Sequence, residues 1–202
     1  MILMLNPPLG ANELAAAFDL FAKNALEEFE SAFSRAMGTK YAVAFPYGRT
    51  ALMALLEALD LRRREVLCPA YTCAVVPHAI VYSGNEPVFV DCEPGGFNMD
   101  LDRAERLITR KTGAVIATSL FGYPVDLDRL GAVRDAHPHL HLIMDCAQSV
   151  GAVWKGRPIH KEGIVALFGF GIGKTLTSVF GGMITTDDSS VYNRLKQVRY
   201  AR

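Results

Sequence analysis

Hydrophobic positions along this chain change their spacing repeatedly. Phe29, Phe33 and Met37 recur every fourth residue as one apolar stripe, which predicts a helix from Ala25 to Met37 with Gly38 as its carboxyl-terminal stop. Phe18 and Phe21 extend the stripe upstream. From about residue 40 short apolar runs alternate with helical patterns. Strands are predicted at Tyr41 to Phe45, Glu65 to Cys68, Pro87 to Asp91, Gly113 to Leu120, His139 to Asp145, Val165 to Phe170 and Gly182 to Thr186. Helices are predicted for Thr50 to Leu59, Cys73 to Tyr82, Asp100 (as cap) to Ile108, Asp126 to Ala136, and from about Ser189 onward. Such alternation signals a mostly parallel sheet covered by helices, a three-layer α/β/α arrangement. Residues 1–38 read as a helical lead-in and 39–202 as one α/β domain, with no linker or internal repeat between them.

Composition narrows the function classes. At 202 residues and 50% hydrophobic, the chain can build one substantial core. Its 21 basic and 21 acidic side chains cancel, so charge favours neither nucleic acid nor an anionic membrane, and a small molecule is the expected partner. The apolar start Met1-Ile2-Leu3-Met4-Leu5 lacks a basic lead and is broken by Asn6-Pro7-Pro8, too soon for a signal peptide or membrane span. A cytoplasmic location is expected. Cys68, Cys73, Cys92 and Cys146 show no metal-ligand spacing and read as reduced thiols, so no metal is expected.

Chemistry concentrates in two segments. His141-Leu142-Ile143-Met144-Asp145 is an apolar strand ending in a carboxylate, and Gly169-Phe170-Gly171-Ile172-Gly173-Lys174 places a lysine in a glycine-rich apolar turn. An acid at the carboxyl end of a parallel strand points into the crevice where open α/β sheets bind ligands. Alone, Asp145 fits an ordinary turn or cap residue; beside a cofactor it would keep a pyridine nitrogen protonated. Gln148, one turn later, could donate to an oxygen of the same ring, or be a surface amide. A lysine partly withdrawn from water is an amine nucleophile, which suits imine chemistry at Lys174. The rival for Lys174 is a nucleotide-binding P-loop, since Gly173-Lys174-Thr175 ends like one. That motif wants glycine where Phe168 stands and a helix afterwards, whereas Leu176 to Gly182 is β-branched and glycine-rich. A phosphate site is offered instead by Gly48, Arg49 and Thr50, which open a predicted helix with free backbone donors, although the same turn could be a simple threonine cap.

Taken in order, Gly48-Arg49-Thr50-Ala51-Leu52, Pro69-Ala70-Tyr71-Thr72, Pro87-Val88-Phe89-Val90-Asp91, Ser119-Leu120-Phe121-Gly122-Tyr123-Pro124, Asp145-Cys146-Ala147-Gln148, Lys174 and Gly181-Gly182 resemble the motifs of the DegT/DnrJ/EryC1/StrS aminotransferases. The resemblance runs from about residue 30 to the end. It implies a fold-type-I large domain that binds pyridoxal 5'-phosphate (PLP) and transfers an amino group from an amino-acid donor to a keto sugar, many of these being nucleotide-linked, for surface polysaccharides or antibiotics. By the same resemblance Lys174 attaches the cofactor and moves the proton, Asp145 pairs with the pyridine nitrogen, Gln148 approaches the ring oxygen, and the turn from Gly48 to Thr50 holds the phosphate. Cys73 and Gly169 occupy cofactor positions where the family often has an aromatic ring and a serine, so stacking is expected to pass to Tyr71 or His78 and phosphate binding to a backbone amide. The resemblance further implies a homodimer whose sites borrow residues from the neighbour, and a small carboxyl-terminal domain that this chain lacks, which would make it a fragment or a truncated product. The readings left beside it are a non-catalytic remnant serving as a binding or assembly module, and a nucleotide-binding protein.

Overall fold

The computed structural model describes Gly10 and residues 23–201. The predicted upstream stripe at Phe18 and Phe21 lies outside the described residues. Helix α1 (Ala25–Met37) leads into strand β1 (Tyr41–Phe45) and helix α2 (Gly48–Ala58); β2 (Glu65–Pro69), α3 (Val75–Tyr82), β3 (Glu86–Val90), α4 (Leu101–Leu107), β4 (Thr112–Thr118), α5 (Leu127–Ala136) and β5 (His141–Asp145) follow. A two-stranded hairpin, β6 (Val153–Trp154) and β7 (Arg157–Pro158), precedes β8 (Val165–Gly169), β9 (Gly182–Thr186) and α6 (Ser189–Tyr200).

Seven strands form one sheet in the order β1-β9-β8-β5-β4-β2-β3. The run β3, β2, β4, β5, β8 is parallel, while β9 lies antiparallel between β8 and β1. Strand side chains alternate between two cores because the pleat sends successive residues to opposite faces. Val43, Val66, Ile116, Ile143, Leu167 and Ile184 pack with α2, α3 and α6 on one face. Leu67, Val115, Met144, Phe168 and Met183 pack with α1, α4 and α5 on the other. Helices on both faces of a mostly parallel sheet make the expected three-layer α/β/α fold.

Local chemistry explains the element ends. Gly38 closes α1 in the left-handed conformation, its N–H bonded to the carbonyl of Arg35. Asp100, Asp126 and Asp188 cap α4, α5 and α6 by accepting two backbone N–H groups each. In α1, Phe33 is buried and meets Phe168 and Phe170 edge-on, whereas Phe29 stays partly exposed and touches Phe170. The helix predicted from Cys73 begins at Val75, and the strand predicted to run to Leu120 stops at Thr118, where a 3₁₀ turn over Leu120–Gly122 takes over.

Candidate functional site

Because β1 runs parallel to β8 through the antiparallel β9, the carboxyl ends of β1, β2, β4, β5 and β8 and the amino end of β9 share one edge of the sheet. A cavity of about 450 Å³ opens there. All eight residues singled out in the sequence, Gly48, Arg49, Thr50, Cys73, Asp145, Gln148, Gly169 and Lys174, line it. Four stretches of the chain, far apart in sequence, supply them, so the grouping is a product of the fold.

Asp145 ends β5 and is only 5% exposed. Its cross-strand neighbour Thr118 donates its hydroxyl to Oδ2 at 3.3 Å, and the backbone N–H of Ala147 donates to Oδ1 at 3.1 Å. Burial pushes the Asp145 carboxyl above its ordinary value, against the pull of the Ala147 hydrogen bond, the Lys174 charge and the Thr118 hydroxyl. A carboxylate kept from water in this way gains from any cationic group that enters the cavity.

Lys174 sits half-buried on the loop joining β8 to β9, in a turn closed by its own N–H on the carbonyl of Gly171 at 2.9 Å. Its stem passes Gly169: a Cβ there would lie 3.9 Å from Lys174 Cε and 3.4 Å from the Cβ of Ala147. After Lys174 the chain runs through turns into β9 and opens no helix, which removes the structural context of a P-loop.

The turn at Tyr47 opens α2. Tyr47 donates its N–H to Thr50 Oγ1 at 3.1 Å, and the Thr50 hydroxyl donates back to the Tyr47 carbonyl at 2.8 Å. The Thr50 hydroxyl is thereby committed to the turn. The first backbone N–H groups of α2 lack intrahelical partners and face the cavity edge with the positive end of the helix dipole, which suits an anion.

Gln148 is oriented by an N–H from Phe121, which reaches its Oε1 at 3.2 Å and leaves the amide nitrogen as a spare donor. Phe121 makes that bond from a left-handed backbone at φ 54°. Cys73 lines the cavity with an exposed thiol. The expected aromatic cover is corrected here: neither Tyr71 nor His78 lines the cavity. Tyr71 leans toward Phe121 at 6.4 Å, and His78, on the outer side of α3, meets Tyr82 at 6.4 Å. Tyr71 precedes α3, and His78 lies within it. The aromatic rings that do line it are Tyr47 and Phe180, with centroids 5.6 Å apart, together with the buried Phe168. The sequence reading missed Tyr47, Phe180 and Thr118. For Thr118 a signal existed, since it ends its strand beside the strand that ends in Asp145.

A buried carboxylate, an amine on a tight turn and a helix amino terminus around one cavity match a flat cationic heterocycle that carries a carbonyl and a phosphate. Residues 14–201 match the DegT/DnrJ/EryC1/StrS aminotransferase family. GDP-perosamine synthase of Caulobacter vibrioides is 36% identical over 173 residues, covering 85% of this chain and 46% of that protein. The crystal structure of S. venezuelae DesV in complex with a ketimine intermediate superposes with a TM-score of 0.84 at 33% identity, covering 92% of this chain and 51% of DesV. Spr1654 from Streptococcus pneumoniae, in its PLP-form, gives a TM-score of 0.78 at 28% identity over 85% of this chain and 48% of its own. The chain spans about half the length of the relatives it matches.

Proposed function

This chain belongs to the DegT/DnrJ/EryC1/StrS aminotransferase family, and on that premise we propose that it is the cofactor-binding large domain of a PLP-dependent aminotransferase. The full enzyme moves an amino group from an amino-acid donor to a keto sugar, most consistently a nucleotide-linked one, in the making of surface polysaccharides or antibiotic sugars. Support for the sugar comes from GDP-perosamine synthase among the relatives. The observation that carries the reading is the convergence of Asp145, Lys174 and the amino terminus of α2 on one cavity.

Each residue then has a task its surroundings allow. Asp145, held by Thr118 and Ala147, would keep a proton on the pyridine nitrogen by charge pairing in a buried site. Lys174 Nζ would be the amine that holds the cofactor and the base that carries a proton at the substrate carbon. The backbone N–H groups of Gly48, Arg49 and Thr50 take the phosphate. Gln148, whose Oε1 is taken by the Phe121 N–H, would offer its amide N–H to the ring oxygen. Gly169 and Cys73 line the cavity without a hydroxyl or an aromatic ring, so the phosphate would be left to backbone amides and the ring's flank to a small thiol. When bound, PLP supplies an electron-accepting ring that stabilises negative charge on the substrate.

The reading includes a cytoplasmic homodimer. No described helix is long and apolar enough to cross a membrane, and the four described cysteines are free thiols, as a reducing compartment allows. Ile172, Val179, Phe180 and Tyr47 expose apolar surface around the cavity mouth, the kind of patch a second subunit covers. The test is an absorbance spectrum after reconstitution with PLP, followed by borohydride reduction and peptide mapping. A visible band with the label on Lys174 is the expected result; no band, or a label elsewhere, overturns the reading.

A further inference from the structure

The loop that carries Lys174 is built around a residue in the wrong conformation for its side chain. Val179 has φ 68°, in the left-handed region that steric contact closes to β-branched residues and leaves open to glycine and, less fully, to asparagine. Val179 is 51% exposed, so packing within its own chain does not compensate for the strain.

Hydrogen bonds on either side impose the conformation. Ser178 N and Thr177 Oγ1 both donate to the carbonyl of Phe170 at 3.1 Å, and Phe170 N donates to the carbonyl of Gly181 at 2.9 Å. Val179 N donates to Thr177 Oγ1 at 3.0 Å, and Ser178 Oγ to the carbonyl of Phe180 at 2.7 Å. A Cβ on Gly181 would sit 2.7 Å from Ser178 Oγ and 3.2 Å from Phe170, so glycine is the residue that fits where the loop closes on Phe170. The positive φ of Val179 lies in the middle of this set of bonds.

We propose that Val179 is a positioning residue that makes the Lys174 loop a strained latch with two arrangements. In one, Val179 is left-handed, the bonds to Phe170 are made and Lys174 is held against Gly169. In the other, Val179 relaxes to an extended backbone, those bonds open and the lysine is released from the cavity wall. A side chain at 179 that accepts the left-handed region removes the second arrangement.

The experiment compares the ligand-free wild-type chain with Val179→Asn, Val179→Gly and Val179→Ile. Asparagine is the cleaner relief, because glycine also loosens the unfolded chain. Val179→Asn is expected to raise the unfolding midpoint by about 2–4 °C and to slow amide hydrogen exchange at positions 178 and 179, with Val179→Gly showing the same slowing and Val179→Ile resembling wild type. Unchanged or faster exchange in both relief variants, or a lower midpoint in Val179→Asn, overturns the proposal. A further arm rests on the cofactor reading: borohydride trapping with PLP should label Lys174 faster in Val179→Asn, to the same final extent. If wild-type Lys174 takes no label, the cofactor reading fails, while the midpoint and exchange still decide the latch.

Discussion

A Cβ placed on Gly182 would lie 2.7 Å from the backbone nitrogen and Cα of Gly48. Through this contact the first residue of β9 bears directly on the helix start that faces the cavity, so the end of the lysine loop and the proposed phosphate turn are one packing unit. Gly182→Ala would force backbone against backbone, with no flexible side chain to yield. The expected outcome is a loss of about 1–3 kcal/mol in stability, read as a lower denaturant midpoint, and weaker PLP binding by titration. A variant that keeps both would show that the two segments move independently.

Lys174→Ala should abolish covalent capture of PLP and leave the fold alone. The side chain is half-buried, the turn is closed by the backbone N–H of Lys174 on the carbonyl of Gly171, and alanine keeps that N–H. Unfolding should stay within about 0.5 kcal/mol of wild type. Peptide mapping after borohydride reduction checks the assignment directly, and a phosphopyridoxyl group on Lys111 or Lys155 in wild type would move the site away from this loop.

The largest stability effect is expected far from the cavity. Glu30 on α1 is buried, accepts the N–H of Ala44 in β1 at 2.8 Å, and pairs with Arg199 near the end of α6, with Lys196 Nζ at 3.8 Å. One carboxylate thus ties the first described helix and the last to the edge strand. Glu30→Ala leaves the half-buried guanidinium and a backbone donor without their partner, at a cost of about 3–5 kcal/mol. Chemical denaturation measures it, and a loss below about 1 kcal/mol would mean that water replaces the carboxylate freely.

How much of this was legible follows from which features are local. The stripe of Phe29, Phe33 and Met37 and the caps at Asp100 and Asp126 are written in neighbouring residues, and the elements formed within two or three positions of their expected ends. The hairpin of β6 and β7 was not foreseen. Its strands hold two residues each, too few for a period, and its turn uses Lys155 and Gly156 at positive φ without an asparagine to mark it. The insertion of β9 between β1 and β8 is likewise a matter of pairing, which no local pattern records. At the site, Asp145 and Lys174 stood out because their residue types conflict with their apolar surroundings. Tyr47 and Phe180 did not, since an aromatic residue in a loop looks the same whichever way the loop turns it; for that reason Tyr71 was expected at the ring, whereas it leans toward Phe121, and His78 within α3 meets Tyr82.

Asp145→Asn should strengthen the ligand-free protein as it weakens the site. Burial raises the folded-state pKa of Asp145 above its ordinary value of 3.8. An acid shifted upward holds its proton in the folded chain at a pH where the unfolded chain has released it. The folded state then binds more protons, and the slope of unfolding free energy with pH is negative. The contribution of Asp145 is therefore fully present below the unfolded pKa and is lost as pH rises through the raised folded value. Asparagine carries no charge at any pH in this range. Wild type and Asp145→Asn should match below about pH 3.8 and separate above it, with the variant the more stable at neutral pH. In the presence of PLP the order should reverse, because the charge that costs stability in the empty site is the one that would pair with the pyridine nitrogen. Denaturant midpoints across pH, with and without PLP, measure both halves. Equal pH profiles in the absence of PLP would show that Asp145 is better solvated than its burial implies, and a variant that binds PLP and turns over an amino donor as wild type does would remove it from the proposed role.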